Sequence, residues 1–592
     1  MSNNKSTHKL KAVEVGASSI FIFLAILLSV SRVPFPSFIF PIHIVTITTV
    51  AVVLIFLATG GRKAATISIA ALAVFFAIVT AWAFLTNPFY SPGDDDYGYH
   101  ILAVWELAEG WDPFQTPHDN IWLDSYPTGI YVLESYMVSL TGLLLSGRSV
   151  IIGLAVTVGF LAFSFYNDRI APQVPYFKYI CALLFAGIVV ANPVVLTQLT
   201  THYVDTPLYL MGCALVFFLL SDAFTSNRLA RWSVISCIIL LVNTKTAALY
   251  YVPLIVISGF VVDLILNSSK TDFFSKAFHW IGTKGIPYVV AFAFGILVIG
   301  YKPFVTNYLD HGEFLYPSVD EIMQGNVPKN VIPLSSPMKF IYGIGAETGQ
   351  TTWPFYFHAP IDLKVPGTFK LAEFKLLRYD TRRGGFGPLF SLALLASIIA
   401  YASSRIAGYN KSRYNWHREG DGIAVLSLFL LIISMFFPES WWARYVPFVW
   451  LSAILFATSS LYLSGKGALL IFSRVMFGIT LISFLGCIVA GLGGAARANY
   501  KTYKKTKIIK TMENAPLVEI YPEIDPRITT DFQSKTITSA GDVWGRLLQE
   551  RGVNVRVYNG VGNNRDDREQ YCQDSLWFDA DVMWCIPRHP VK

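Results

Sequence analysis

Three consecutive aspartates, Asp94, Asp95 and Asp96, stand in the stretch Ser91-Pro92-Gly93-Asp94-Asp95-Asp96-Tyr97-Gly98-Tyr99-His100. They follow an apolar run, 64–85, that is long enough to cross a bilayer. Like charges at this spacing repel and raise one another's pKa, and an ionisable group beside a membrane segment is first read as functional. The plain alternative is a solvated cluster of charge. The next segment, 99–108, weighs against it: Ile101, Leu102, Val104, Trp105 and Leu107 suit a helix lying in the interface. Carboxylates held there can act on a lipid-borne substrate.

Other polar residues fall at the same expected face. His202, Tyr203 and Asp205 lie between two apolar runs; Lys245, in Asn243-Thr244-Lys245-Thr246, divides two more. Arg444 lies in Trp441-Trp442-Ala443-Arg444-Tyr445-Val446-Pro447. A long loop adds His311-Gly312-Glu313 and the cations Arg378, Arg382 and Arg383. Carboxylates beside fixed cations match what glycosyl transfer from a lipid phosphate requires. An aspartate takes the proton of an acceptor hydroxyl, and Lys and Arg stabilise the departing phosphate. Lys245, Arg444 and Arg382 are the expected phosphate ligands; His100, His202, Asp205 and Glu313 are expected to meet sugar or acceptor. Each cation alone reads equally as a snorkelling side chain at a helix end. His202 is a polar-interface residue rather than a metal ligand, because no second His stands at a metal-binding spacing.

Three carboxylates invite a hard cation such as Mg²⁺ or Mn²⁺. Consecutive side chains point in different directions, however, and Lys245 with Arg444 supplies positive charge. The expectation is therefore a divalent cation as possible but not obligatory, with one Asp as base.

The elements that must hold these residues are membrane helices. Of 592 residues, 54% are hydrophobic and 14% charged, with mean hydropathy +0.49; soluble chains carry about 25% charged residues. The net charge of +7 is assigned to cytoplasmic loops rather than to nucleic acid. Apolar runs at 13–31, 42–59, 64–86, 149–166, 179–192, 206–222, 232–243, 247–266, 286–301, 388–403, 422–437, 444–463 and 468–494 predict about thirteen spans. Basic residues at Lys5, Lys9, Lys11, Arg62, Lys63, Arg169, Lys178, Arg228, Arg231, Lys270, Lys276, Lys284, Arg405, Lys411, Arg413, Arg418 and Lys466 then share the cytoplasmic face. Segment 86–147, without Lys or Arg, lies outside, as does loop 302–387. Treating 126–146 as a span would push most basic loops outside, so it is read as re-entrant or interfacial. The amino terminus is expected inside and the carboxyl terminus outside, with no cleavable signal peptide.

The tail, 495–592, reads as a small soluble α/β unit after a membrane module at 1–494. Segments 517–521 and 553–558 are strand-like; 542–551 is helical, with Ser539 or Asp542 as its N-cap. Cys572 and Cys585 form a disulfide in an oxidising compartment, or stay as two thiols.

In order along the chain, these pieces resemble the GT-C class of integral membrane glycosyltransferases. The likeness rests on Asp94-Asp95-Asp96-Tyr97-Gly98-Tyr99-His100, the segment ending Glu109-Gly110-Trp111-Asp112-Pro113, Asp205, Lys245, and Trp442 to Pro447. It covers about 500 residues; the tail lies outside it. The resemblance implies an all-α polytopic bundle and a polyprenyl-phosphate-linked sugar as donor. It further implies inverting transfer outside a bacterial cytoplasmic (inner) membrane. Asp95 matches the base position best, Asp96 second. The acceptor is a glycan, a lipid or a protein such as pilin, and membrane lipids surround the enzyme. Two departures stand out: two spans precede the one entering the acidic loop, and the aspartate is tripled. An O-antigen-type polymerase or ligase is the alternative, and a lipid-linked-sugar flippase ranks third.

Overall fold

The computed structural model describes residues 12–32, 41–169, 178–269, 271–317, 327–349, 360–408, 415–462, 467–522, 531–558, 572–579 and 582–588. Lys5, Lys9, Lys11, Lys270, Lys411, Arg413 and Lys466 lie outside the described residues. Long runs poor in charge become helices because a chain in lipid must satisfy its own backbone groups. In order come α1 (Ala12–Val30), α2 (Pro41–Thr86), α3 (Ile101–Ala108), α4 (Gly129–Thr141) and α5 (Ser149–Arg169). They are followed by α6 (Lys178–Val190), α7 (Pro193–Gln198), α8 (Asp205–Thr225), α9 (Arg228–Val242), α10 (Ala248–Asn267) and α11 (Phe273–Ile299). After the long loop stand α12 (Phe390–Gly408), α13 (Asn415–Met435), α14 (Phe448–Ser459), α15 (Ala468–Met512) and α16 (Asp531–Gln549).

Eight of these helices are long and apolar enough to cross a membrane, by length and composition among the described residues: α1, α2, α5, α8, α10, α11, α12 and α15. Of the expected thirteen or so spans, these eight meet the length and composition of a membrane-crossing helix. Runs 42–59 and 64–86 fall in α2, two helical stretches that meet at Gly61, whose φ of 71° leaves the helical path. Helices α6, α9 and α14 have 13, 15 and 12 residues, or roughly 18–22 Å of axis, against a hydrocarbon core of about 30 Å. In α9 residues 239–242 are buried and α14 is buried throughout, so their apolarity comes from burial within protein, whereas α6 leaves Tyr179, Ile180 and Leu183 exposed. Helix α13 carries Arg418, Glu419 and Asp421 near its start. Segment 126–146 contributes the 13-residue α4 and a 3-10 turn at Leu144–Ser146.

Helix α8 sets the two ends of the bundle. Asp205 begins it, and Asp222, near its other end, pairs with Lys284 (2.7 Å) and Arg231 (3.0 Å), while Lys284 also reaches Asp263. At 1.5 Å per residue the two aspartates stand roughly 26 Å apart, near the thickness of a hydrocarbon core. One ion cluster therefore sits at each end.

Helix α3 is not a bare interfacial helix. Ile101, Leu102, Ala103 and Val104 are fully buried, packed against α4 and α16. The tail explains the difference. Helix α15 continues past 494 to Met512, and the sheet unit begins at Val518 with β1 (Val518–Pro522). Strands β2 (Val555–Val557), β3 (Cys572–Asp579) and β4 (Val582–Pro587) complete a sheet of order β2-β1-β4-β3, with β1 and β2 parallel and the other pairs antiparallel. Both expected strands are present, and Cys572–Cys585 is a disulfide joining β3 to β4. The expected N-cap is overturned: α16 starts at Asp531, so Ser539 and Asp542 are mid-helix.

The tail docks on the segment that carries the acidic motif. Trp544 of α16 stacks on Tyr97 at 4.5 Å and 14°, and Arg551 donates to the Asn87 carbonyl (2.8 Å). Glu550 accepts from the Leu144 N–H (3.1 Å), and Thr506 of α15 donates to the Pro88 carbonyl (2.8 Å). The tail and the acidic motif thus lie at the same end of the bundle.

Candidate active site

The three aspartates part company. Asp94 is exposed and accepts from the Tyr379 hydroxyl (3.2 Å). Asp96 opens a π-helical turn, Asp96–His100, and is fully buried. Ser91 Oγ donates to Asp96 Oδ2, and the His202 N–H donates to Oδ2 (3.0 Å) and Oδ1 (3.2 Å). Burial pushes the Asp96 carboxyl up to about 6, against the opposing effects of His202 and the Ser91 bond. This aspartate fastens the loop 200–204 to the motif. Asp95 lies between, its side chain 43% exposed, with Oδ2 3.9 Å from Arg444 Nη1. Desolvation raises its pKa, Arg444 pulling the other way.

Arg444 is the hub. Its Nε lies 2.9 Å from Asp205 Oδ2 and its Nη1 2.9 Å from Asp380 Oδ1. Lys245 Nζ donates to Asp205 Oδ1, and Gln198 Nε2 donates to Asp205 Oδ2 (3.3 Å) and to the Tyr379 carbonyl (3.0 Å). Arg382 pairs with Asp380 at 3.2 Å and lies over the Trp442 ring at 4.4 Å. Arg444 faces Trp442 (5.0 Å) and Tyr203 (5.1 Å); Lys245 faces Tyr445 (4.0 Å). Cations over aromatic faces are held in orientation as well as attracted. The turn carrying Lys245 is fixed where the Gly129 N–H donates to the Asn243 carbonyl (2.8 Å). A Cβ at Gly129 would stand 2.5 Å from that oxygen.

Behind these groups is a buried polar layer. His202 Nδ1 meets Glu134 Oε2 at 2.8 Å. Burial lowers His202 to about 4 and raises Glu134 well above the carboxylate range. His100 Nδ1 meets the Tyr131 hydroxyl at 2.5 Å, and burial holds His100 well below the usual histidine value. Arg148 is fully buried and donates to the carbonyls of Thr86, Phe89 and Thr200.

The structure therefore gathers Asp95, Asp205, Lys245, Arg382 and Arg444 and puts Asp96, His100 and His202 behind them. Glu313 is exposed after the short helix Thr306–His311 and is not part of the Arg444 network. Arg383 donates to the Pro360 carbonyl (3.2 Å), and Arg378 accompanies Lys501. Asp205, expected to meet sugar or acceptor, is the counter-ion of two of the three expected phosphate ligands, Lys245 and Arg444. Sequence reasoning passed over Asp380, Gln198, Glu134, Ser91 and Arg148. Asp380 had one signal, an acid inside the basic run Arg378-Tyr379-Asp380-Thr381-Arg382-Arg383; Gln198 had none.

Among the described residues no group of three or more His, Cys, Asp or Glu side chains is arranged to hold a metal ion. The triple aspartate does not fit one, since its carboxylates face Tyr379, Arg444 and Ser91 respectively.

No family model matches this chain, and no curated protein matches it. The site must be read from its own geometry. Three cations, Arg444, Lys245 and Arg382, meet three carboxylates, Asp95, Asp205 and Asp380. Arginine offers five N–H donors and lysine three, and these carboxylates hold the three cations in place.

Proposed function

We propose that this protein is a membrane-embedded glycosyltransferase. It moves a sugar from a polyprenyl-phosphate donor to an acceptor at the outer face of a bacterial inner membrane. The observation that carries this reading is the placement of Asp95: a half-exposed carboxylate with a raised pKa, 3.9 Å from a guanidinium fixed by Asp205 and Asp380. A base of raised pKa takes a proton most effectively near neutral pH. The guanidinium beside it is placed for the phosphate that leaves, whose charge it stabilises in a site of low dielectric. In the step, the acceptor oxygen bonds to the anomeric carbon as its proton passes to Asp95. The bond from that carbon to the phosphate oxygen breaks, and the phosphate keeps the electron pair.

A lipid groove supports the donor class. A cavity of about 670 Å³ runs between α5 and α6, lined by aliphatic and aromatic residues from Tyr179 to Leu196 and Leu199. Gln198, between those leucines, donates to Asp205. An apolar chain lying there ends beside the cations.

The test is transfer from a polyprenyl-phosphate sugar by purified protein in nanodiscs. Asp95→Asn should lower turnover at least ~100-fold with donor retention intact. Unchanged turnover would reject Asp95 as base, and absence of transfer by the wild-type protein would reject this reading.

A further inference from the structure

A second cavity, of about 550 Å³, lies where the first outer loop meets the tail. Trp105 and Glu106 of α3 and Asp119 form one wall; Asp542, Arg546 and Gln549 of α16 form the other. The volume is within the range of ligand pockets, about 300–1,000 Å³. Its chemistry is unlike that at Arg444. Glu106, Asp119 and Asp542 face one cation, Arg546, which Glu109 already engages at 3.1 Å. The pocket is therefore negative and unsuited to phosphate. Two donors on its walls are buried without a protein acceptor: Trp105 Nε1 and Arg546 Nε. The Arg546 guanidinium lies 5.8 Å from the Trp105 ring centre.

Carboxylate acceptors, unused N–H donors and an indole together call for a ligand with many hydroxyls and an apolar face. Every hydroxyl both donates and accepts, and the C–H face of a sugar ring packs on an aromatic ring. Burial, with Glu109 and Asp542 nearby, raises the Glu106 pKa, which lowers the cost of an uncharged occupant. Asn120, another wall residue, ties the pocket to the acidic motif: its Nδ2 donates to the Gly98 carbonyl (3.0 Å) and to Ser539 Oγ (3.1 Å).

We infer that the pocket between α3 and α16 binds a neutral or amino-sugar oligosaccharide, as the subsite that holds a glycan acceptor. The acceptor role rests on the transferase reading; the binding does not.

The experiment presents full-length protein in nanodiscs to a printed array of neutral, amino and acidic oligosaccharides. The expected result is retention on neutral or amino sugars and at least tenfold less on acidic ones. Trp105→Ala should reduce retention at least tenfold. The near-isosteric Asp542→Asn should do so too, and guards against a Trp105 variant that misfolds. Retention of no glycan, retention confined to acidic glycans, or full retention by Asp542→Asn overturns the proposal. Absence of sugar transfer by the wild-type protein would overturn the transferase reading alone, leaving glycan retention as a separate result.

Discussion

Arg444 and Asp205 face each other at 2.9 Å with the Asp205 side chain fully buried, and Lys245 takes the other oxygen of the same carboxylate. One aspartate thus holds two cations from two separate turns of the chain. Removing one member of a buried ion pair costs about 3–5 kcal/mol because the partner is left uncompensated.

Asp205→Asn should therefore lower the thermal midpoint strongly and also weaken retention of the polyprenyl-phosphate sugar. Adding Lys245→Met to it should restore part of the midpoint, because the stranded charge is gone, but none of the donor retention. A double variant no more stable than the single would show that the pair does not carry this energy.

Arg444→Lys keeps the charge and loses the fork that reaches Asp205 and Asp380 together. Donor affinity should fall at least ~10-fold, measured by competition with the free polyprenyl phosphate. Wild-type affinity would mean that point charge suffices.

The pH dependence has two parts. Asp95 must be ionised to act as base, and its pKa is raised above 3.8. Turnover should fall with acid through a midpoint above that value, and a flat profile down to pH 4 would contradict it. Stability follows Asp96 and His202 instead. Asp96, raised to about 6, keeps its proton in the fold while the unfolded chain has lost it, so its contribution declines as pH rises from about 4 to 6. His202, lowered to about 4, stays neutral in the fold, so its contribution declines as pH falls from about 6.5 to 4. The two windows nearly coincide and oppose each other. Asp96→Asn should therefore expose a steeper loss of stability in acid than wild type shows, read from denaturation midpoints at pH 4.5 and 7.

Trp544→Ala removes the ring stacked on Tyr97 and packed against Trp584 at 4.5 Å. Loss of a buried Trp costs about 3–5 kcal/mol. Limited proteolysis should then release a carboxyl-terminal fragment at a protease concentration that leaves wild type whole. Equal resistance would show that the remaining contacts of α15 and α16 suffice for docking.

The sequence by itself determined what depends on local composition. Absence of charge over long runs made α1, α5, α8, α10, α12 and α15 legible, because a helix in lipid needs length and apolarity and little else. The strands at 518–522 and 555–557 and the disulfide were legible for similar local reasons. Tertiary structure decided the rest. Helices α9 and α14 read as spans because an apolar helix buried in protein has the same composition as one in lipid. The roles within Asp94-Asp95-Asp96 followed from three different neighbours, Tyr379, Arg444 and Ser91, two of them hundreds of residues away in the chain. Asp380 entered the site, and Asp205 became a counter-ion, only because α8, the turn at Lys245 and the loop before α12 end at one place. Electrostatic pairing depends on distance in space, and sequence spacing does not encode that distance across separate helices.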